Sequence, residues 1–371
     1  MTLARQTLAW GAAAATAVAA LYLLSGVLLP FLAALALGYL LDPVADRLER
    51  MGMSRLLATL TILLVFTAAA IVVAALVAPV LVRQFASFVS AFPDLAAKAQ
   101  QVLIDKGGDW LRALEINLTN IFGFDPLAGN VDAQNVVPDM MKTASQWLLG
   151  VMKSVLSGGA AILNLASLLV VTPVVAFYIL LDWDRMVERI DANIPPRDRA
   201  KVRAIAAEID RAMAGFLRGQ SLLCLFLGLW YGIGLSLIGV NYGFLIGVIG
   251  GVLSFIPYVG SLTVLVLSLI VAIAQSWPSL ALPAMALGVF AVGQFLEGNI
   301  LSPRLVGESV GLHPVWVMFA LMAGGALFGF VGLLVAVPVA AALGVLIRHA
   351  LDAYRSSAFF TSGAPPREPM A

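Results

Sequence analysis

The sequence predicts an all-α, polytopic membrane protein of about eight transmembrane helices, with broken or re-entrant helices in its C-terminal half. Three observations lead there. Charged residues make up only 12% of the 371 residues while 61% are hydrophobic, against roughly 25% charged in soluble domains. Mean hydropathy is +0.98. The run Gly219–Leu296 carries no Asp, Glu, Lys, Arg or His over 78 residues, yet proline, glycine and tyrosine interrupt it. A water-soluble fold of this size could not cover its surface with so few charges.

Each element follows from the length of chain needed to cross about 30 Å of hydrocarbon, roughly 20 helical residues. Leu8–Leu41 is uncharged over 34 residues, too long for one comfortable span and too long for a signal-peptide core of about 7–15 residues. Two retained helices are expected, about 8–25 and 30–50, with a turn at "SGVLLP" and Pro30 in the first turn of the second. Leu56–Val82 gives the next span and Ser154–Leu181 another, with Pro173 inside it. The 78-residue run offers three or four segments, separated by "GVNYG" (239–243), "FIPYVGS" (255–261) and "SWPS" (276–279). Pro314–Ile347 is again uncharged and splits near "GGALFGFVG" into a hairpin.

The domains expected are N-terminal transmembrane helices (1–82), an extracytoplasmic amphipathic segment (83–150), a transmembrane helix (151–181), a cytoplasmic amphipathic segment (182–218), a C-terminal transmembrane core (219–350) and a disordered tail (351–371). Arginine and lysine set the orientation. Arg47, Arg50 and Arg55 mark the first loop as cytoplasmic, and residues 182–218 carry eight more basic residues. Segment 83–150 holds five basic residues against seven acidic ones and falls opposite. Both termini then face the cytoplasm. In that outer segment Phe85, Phe88, Phe92 and Leu95 recur at helical spacing, "NLTNIFGFDPLAGNVD" reads as a loop, and another helix follows near 138–152. Its simplest role is an amphipathic cap. Segment 182–218 reads as a charged helix pair split by Pro195–Pro196, and the tail is rich in Pro, Ser and Gly.

A net charge of +1 argues against a nucleic-acid partner. Cys224 stands alone, so no internal disulfide is possible. His313 and His349 are the only histidines and supply no metal-ligand spacing, so neither a metal nor a cofactor is expected. HExxH, P-loop and GxSxG motifs are missing, which disfavours an enzyme. Transport would then draw on a gradient or a partner.

Two stretches carry candidate chemistry. In "FIPYVGS", Pro257 removes a backbone donor and frees a carbonyl near residue 253. Gly260 permits unusual backbone angles, Ser261 can cap a new helix from Leu262, and Tyr258 stands between them. Half-helices meeting inside a membrane present free peptide groups to a solute, whereas an interfacial turn between two short helices is the plainer alternative. In "GQFLEGNILSPRLVGESVGLHP", Gln294 and Glu297 share a helix face. Glu297 ends an apolar run, where a carboxylate is costly unless paired or functional. Arg304 is its nearest cation in sequence, and Asn299 lies between. The GxxxG pairs Gly228–Gly232, Gly247–Gly251 and Gly325–Gly329 let helices approach closely, within the chain or between copies.

Taken in order, "PFLAALALGYLLDPVADRLER", "PVVAFYILLDWDR", "FLRGQ", "FIPYVG", "QFLEGNILSPRLVGESVGLHPVWV" and "GFVGLLVAVPVAAAL" resemble the autoinducer-2 exporter (AI-2E) family, the PerM-type permeases. Pro257, Tyr258, Gly260, Gln294, Glu297, Asn299, Pro303 and Gly307 match its motifs, and segment 83–150 is the least similar part. The resemblance implies a bacterial inner-membrane transporter working as a homo-oligomer, a pentamer, with the lipid bilayer and a small polar solute or a monovalent cation or proton as partners. It implies export of an autoinducer-2-like signal or, alternatively, sodium(lithium)/proton antiport. A single carboxylate near a boundary ranks export first. A non-transporting membrane scaffold is the reading from another class.

Overall fold

The computed structural model describes residues 16, 24–122, 159–306 and 312–356. Among them there is no strand. The helices are α1 (Ser25–Arg50), α2 (Arg55–Phe122), α3 (Gly159–Ala192), α4 (Arg199–Leu237), α5 (Gly243–Leu253), α6 (Val259–Ser276), α7 (Ala281–Leu296), a π-helical stretch (Glu297–Val306) and α8 (Pro314–Arg355). Among the described residues six helices are long and apolar enough to cross a membrane, and α5 is a shorter apolar helix. The three interruptions expected between 219 and 296 all separate helices, and Pro195–Pro196 divides α3 from α4.

Several boundaries differ from the expectation. Helix α1 is already formed at Ser25, so "SGVLLP" is helix rather than turn and Pro30 lies inside it. Proline is tolerated in apolar helices, and the Thr172 hydroxyl of α3 donates to the Pro30 carbonyl at 3.3 Å, tying α3 to α1. The expected helix at 8–25 lies outside the described residues, save residues 16 and 24 and the first residue of α1. Helix α2 runs unbroken over 68 residues with Pro79 and Pro93 inside, joining the span at 56–82 to the segment beyond it. The loop expected from Asn117 is helical as far as Phe122, and the helix near 138–152 lies outside the described residues. Helix α8 continues to Arg355, so residues 351–355 are helix rather than tail.

Contacts divide the chain into two compact units: Met1–Ala68, Ser167–Leu222 and Leu301–Ala371 in the first, Ala69–Ala166 and Leu223–Ile300 in the second. In the first unit Ala34, Leu41, Ala45, Ile62, Leu63, Ala176 and Leu180 form a buried cluster. Small alanines at the contact let α1 and its neighbours approach closely. Above this cluster the Arg55 guanidinium donates to Asp46 at 2.7 Å, Asp42 at 2.8 Å and Glu49 at 3.3 Å, and its Nε reaches the Leu180 carbonyl at 3.0 Å. The fork geometry of arginine permits this sharing. One side chain thus ties the ends of three helices together.

Helix α8 is a hairpin. Gly329 leaves the helical region with φ 59° and ψ −136°, a conformation that favours glycine. The two arms then meet at Gly332 and Gly324, where a Cβ on Gly332 would overlap the Gly324 carbonyl. The close approach belongs to Gly324–Gly332, not to Gly325–Gly329: Gly329 has open space around its missing Cβ and Gly325 faces the Leu333 side chain. At its C-terminal end Arg348 donates to Glu208 at 2.7 Å, and His349 Nε2 lies 3.6 Å from the same carboxylate. His313 caps the N-terminus, its Nδ1 accepting from Val315 N.

In the second unit α6 packs against both α5 and α7. The Gly228–Gly232 and Gly247–Gly251 pairs meet one another. A Cβ on Gly247 would overlap the Gly232 backbone, and one on Gly251 would overlap Gly228. Both motifs are therefore used between α4 and α5 of the same chain.

Candidate transport site

The site begins with the change of helical pitch after Leu296. Helix α7 is an apolar α-helix, and Glu297–Val306 continues as π-helix with Pro303 inside. Proline cannot supply the usual backbone donor, and π-helical turns recur at functional sites. The Asn299 side chain bonds back to the helix, its Nδ2 donating to the Phe295 carbonyl at 3.0 Å. Pitch widens where the polar residues start.

The Glu297 carboxylate accepts from Gln294 Nε2 at 2.8 Å, and the same amide nitrogen lies 3.3 Å from the Tyr231 hydroxyl oxygen. Tyr231, on α4, is fully buried and stacks on Phe290 at 6.2 Å between centroids. It fits because residue 293 is glycine: a Cβ there would stand 2.6 Å from the Tyr231 hydroxyl. Nearby, Trp230 Nε1 donates to the Val289 carbonyl at 3.1 Å, fixing α4 to α7. A carboxylate in an apolar helix is costly, and here amide and phenol hold it in one position. Arg304 is exposed and forms no ion pair among the described residues. The partner of Glu297 is Gln294.

The 255–261 break has a different character. Phe255 N donates to Val252 O at 3.2 Å, Ile256 N to Leu253 O at 3.0 Å and Val259 N to Ile256 O at 3.2 Å. The carbonyl of Leu253, expected to be free, is paired. Helix α6 starts at Val259, its N-cap is Tyr258 and no side chain caps it. Ser261 is therefore not a cap; its hydroxyl turns back to the Tyr258 carbonyl at 3.3 Å. The unusual backbone belongs to Tyr258, with φ 69°. Gly260 serves instead for close approach, because a Cβ would overlap Ser254. Tyr258 itself is 59% exposed. Gly307 lies outside the described residues.

Sequence reasoning missed Tyr231 and Gly293. A tyrosine in a charge-free run was the available signal, since a buried phenol needs a partner. The pairing with Gln294, 63 residues on, needed coordinates.

Apolar helices of spanning length mark a multi-pass integral membrane protein. The chain belongs to the AI-2E family: the model described as AI-2E family transporter matches residues 12–352. It is 29% identical over 328 residues to the candidate transport protein YrrI of Bacillus subtilis, covering 88% of this chain and 87% of that one. It is 28% identical over 335 residues to the candidate permease PerM of Escherichia coli K12, covering 88% of each.

Proposed function

We propose that this chain exports a small polar solute, an autoinducer-2-like signal, across the bacterial inner membrane with both termini in the cytoplasm. The observation that carries the reading is the Glu297 carboxylate held by Gln294 beside Tyr231 at the α-to-π junction. Such a group offers a solute hydroxyl one strong acceptor. Asn299, at the start of the π stretch, adds a polar group. Because the carbonyls of Val252, Leu253 and Ile256 are paired, that turn would contribute through the exposed Tyr258, with Pro257, Gly260 and Ser261 fixing its position. The family resemblance also leads us to propose a homo-oligomer, a pentamer, and the glycine pairs of α4 and α5 are already used within the chain, so its contacts would lie elsewhere.

Flux from proteoliposomes loaded with autoinducer-2, sodium or lithium tests this. Signal efflux that survives removal of the sodium gradient, and falls at least tenfold in Glu297→Gln, is expected. Sodium-dependent proton movement abolished by the same substitution would replace export with antiport. No flux of any cargo would leave the scaffold reading.

A further inference from the structure

Away from Glu297, the first unit contains a pocket of about 230 Å³ between α1, α3 and α4. Its polar lining is Tyr39 and Asp42 from α1, Trp183 and Asp184 from α3, and Asp210 and Arg218 from α4. Three carboxylates therefore face one guanidinium across the cavity. Arg218 is committed: its Nε donates to the Tyr39 carbonyl at 2.9 Å. Arg55, behind the wall, binds Asp42 at 2.8 Å and lies 4.0 Å from Asp184, but is shared with Asp46 and Glu49. Counted together, Asp42, Asp46, Glu49, Asp184 and Asp210 stand against Arg55 and Arg218, so negative charge remains in excess.

The aromatic wall decides what kind of cation fits. Tyr39 and Trp183 meet edge to face with centroids 6.1 Å apart and rings at 67°. A metal ion wants several oxygen ligands converging at about 2.3–2.6 Å, and among the described residues no His, Cys, Asp or Glu set could hold one. Aromatic rings supply a metal ion no oxygen ligand, whereas they attract alkylated ammonium groups through the ring quadrupole. The volume lies below the roughly 300–1,000 Å³ of drug-sized sites, which restricts the occupant to a few heavy atoms.

We propose that this pocket is a binding site for a small organic cation of the alkylammonium type, held by Asp42, Asp184 and Asp210 against the Tyr39–Trp183 rings. It is separate from the Glu297 site and does not depend on the reading given to that residue.

Equilibrium dialysis of radiolabelled tetramethylammonium against the purified full-length protein tests it. Saturable binding that equimolar sodium does not displace is expected. Asp210→Asn and Trp183→Leu should each weaken it about three- to tenfold, while Asp184→Asn, altering a side chain 75% exposed, should weaken it less, about twofold to threefold. Glu297→Gln should leave affinity unchanged. Should Asp210→Asn fail to fold, Trp183→Leu and Asp184→Asn decide. Non-saturable uptake, displacement by equimolar sodium, unaltered affinity in the pocket variants, or loss of binding in Glu297→Gln would each overturn the proposal.

Discussion

Two turns in the second unit start a helix in the same way yet are held differently. Tyr242 precedes α5 with φ 60°, and Tyr258 precedes α6 with φ 69°. In neither helix does the tyrosine's own side chain cap the first turn. The left-handed conformation costs a non-glycine residue roughly 1–2 kcal/mol. Around Tyr242 that cost is offset by contacts. Its hydroxyl donates to the Ser87 carbonyl at 3.3 Å and its ring meets Phe88 edge to face at 5.3 Å. Gln84 accepts from Leu245 N at 2.9 Å, and Gln275 clips Asn241 N and Gly239 O at 2.9 and 2.8 Å. Around Tyr258 there is no such support: among the described residues its side chain has no hydrogen-bond or ring partner, and it is largely exposed. Strain without local compensation is the kind of outlier that points toward function. The first tyrosine is structural, and the second is left available.

The largest effect is expected at the glycine contact behind the Tyr242 turn, with an uncrowded glycine of α7 as its control. Gly247→Leu would drive a side chain into the Gly232 backbone and should cost at least about 3 kcal/mol, read as a lower unfolding midpoint in detergent. Gly288→Ala, which meets nothing within 4 Å, should stay within about 0.5 kcal/mol. Next come the tyrosines. Tyr242→Gly loses ring packing and a hydrogen bond, and should destabilise by about 1–3 kcal/mol. Tyr258→Gly relieves the strained φ while loosening the unfolded chain, two opposing effects of similar size, so its midpoint should stay within about 1 kcal/mol of the parent. Equal losses at both positions would erase the distinction. Gln275→Ala should cost about 1–2 kcal/mol by opening the clip on 239–241.

The smallest effect is expected at a third turn, outside the membrane-spanning segments. Arg203 donates to Asp191 at 2.7 Å and holds that carboxyl below the usual carboxylate range. A depressed folded value means the stabilisation is present above the unfolded carboxylate value of about 3.9 and is lost as pH falls through the folded one. Melting from pH 7 down to pH 3 should show a slight decline in wild type that Asp191→Asn lacks, and salt should diminish the difference.

Much of the helix plan could be read from the chain because charge-free runs and Pro/Gly punctuation act locally. "GVNYG", "FIPYVGS" and "SWPS" all separate helices, and "GGALFGFVG" turns a hairpin at Gly329. Reading failed where a neighbour overrides a local rule. Pro30 looked like a helix start, but α1 is already helical from Ser25 and runs through it. Gly260 looked like the residue with the special backbone, but Tyr258 has it, because Gly260 must admit Ser254. For the site, Gln294 and Glu297 were visible from their spacing, whereas Tyr231 and the Asp42–Asp184–Asp210 pocket assemble residues from distant helices, which no periodicity encodes.

The kink at Gly329 has a topographic consequence. At 1.5 Å per residue the arm from Pro314 to Phe328 rises about 22 Å, less than the roughly 30 Å hydrocarbon thickness. An arm that enters the bilayer at Pro314 would leave the apex inside it and return both ends to the same leaflet. Such a loop leaves the sidedness of everything after it unchanged. A cysteine placed at Ala326 would accordingly be shielded from impermeant thiol reagents applied to the opposite face.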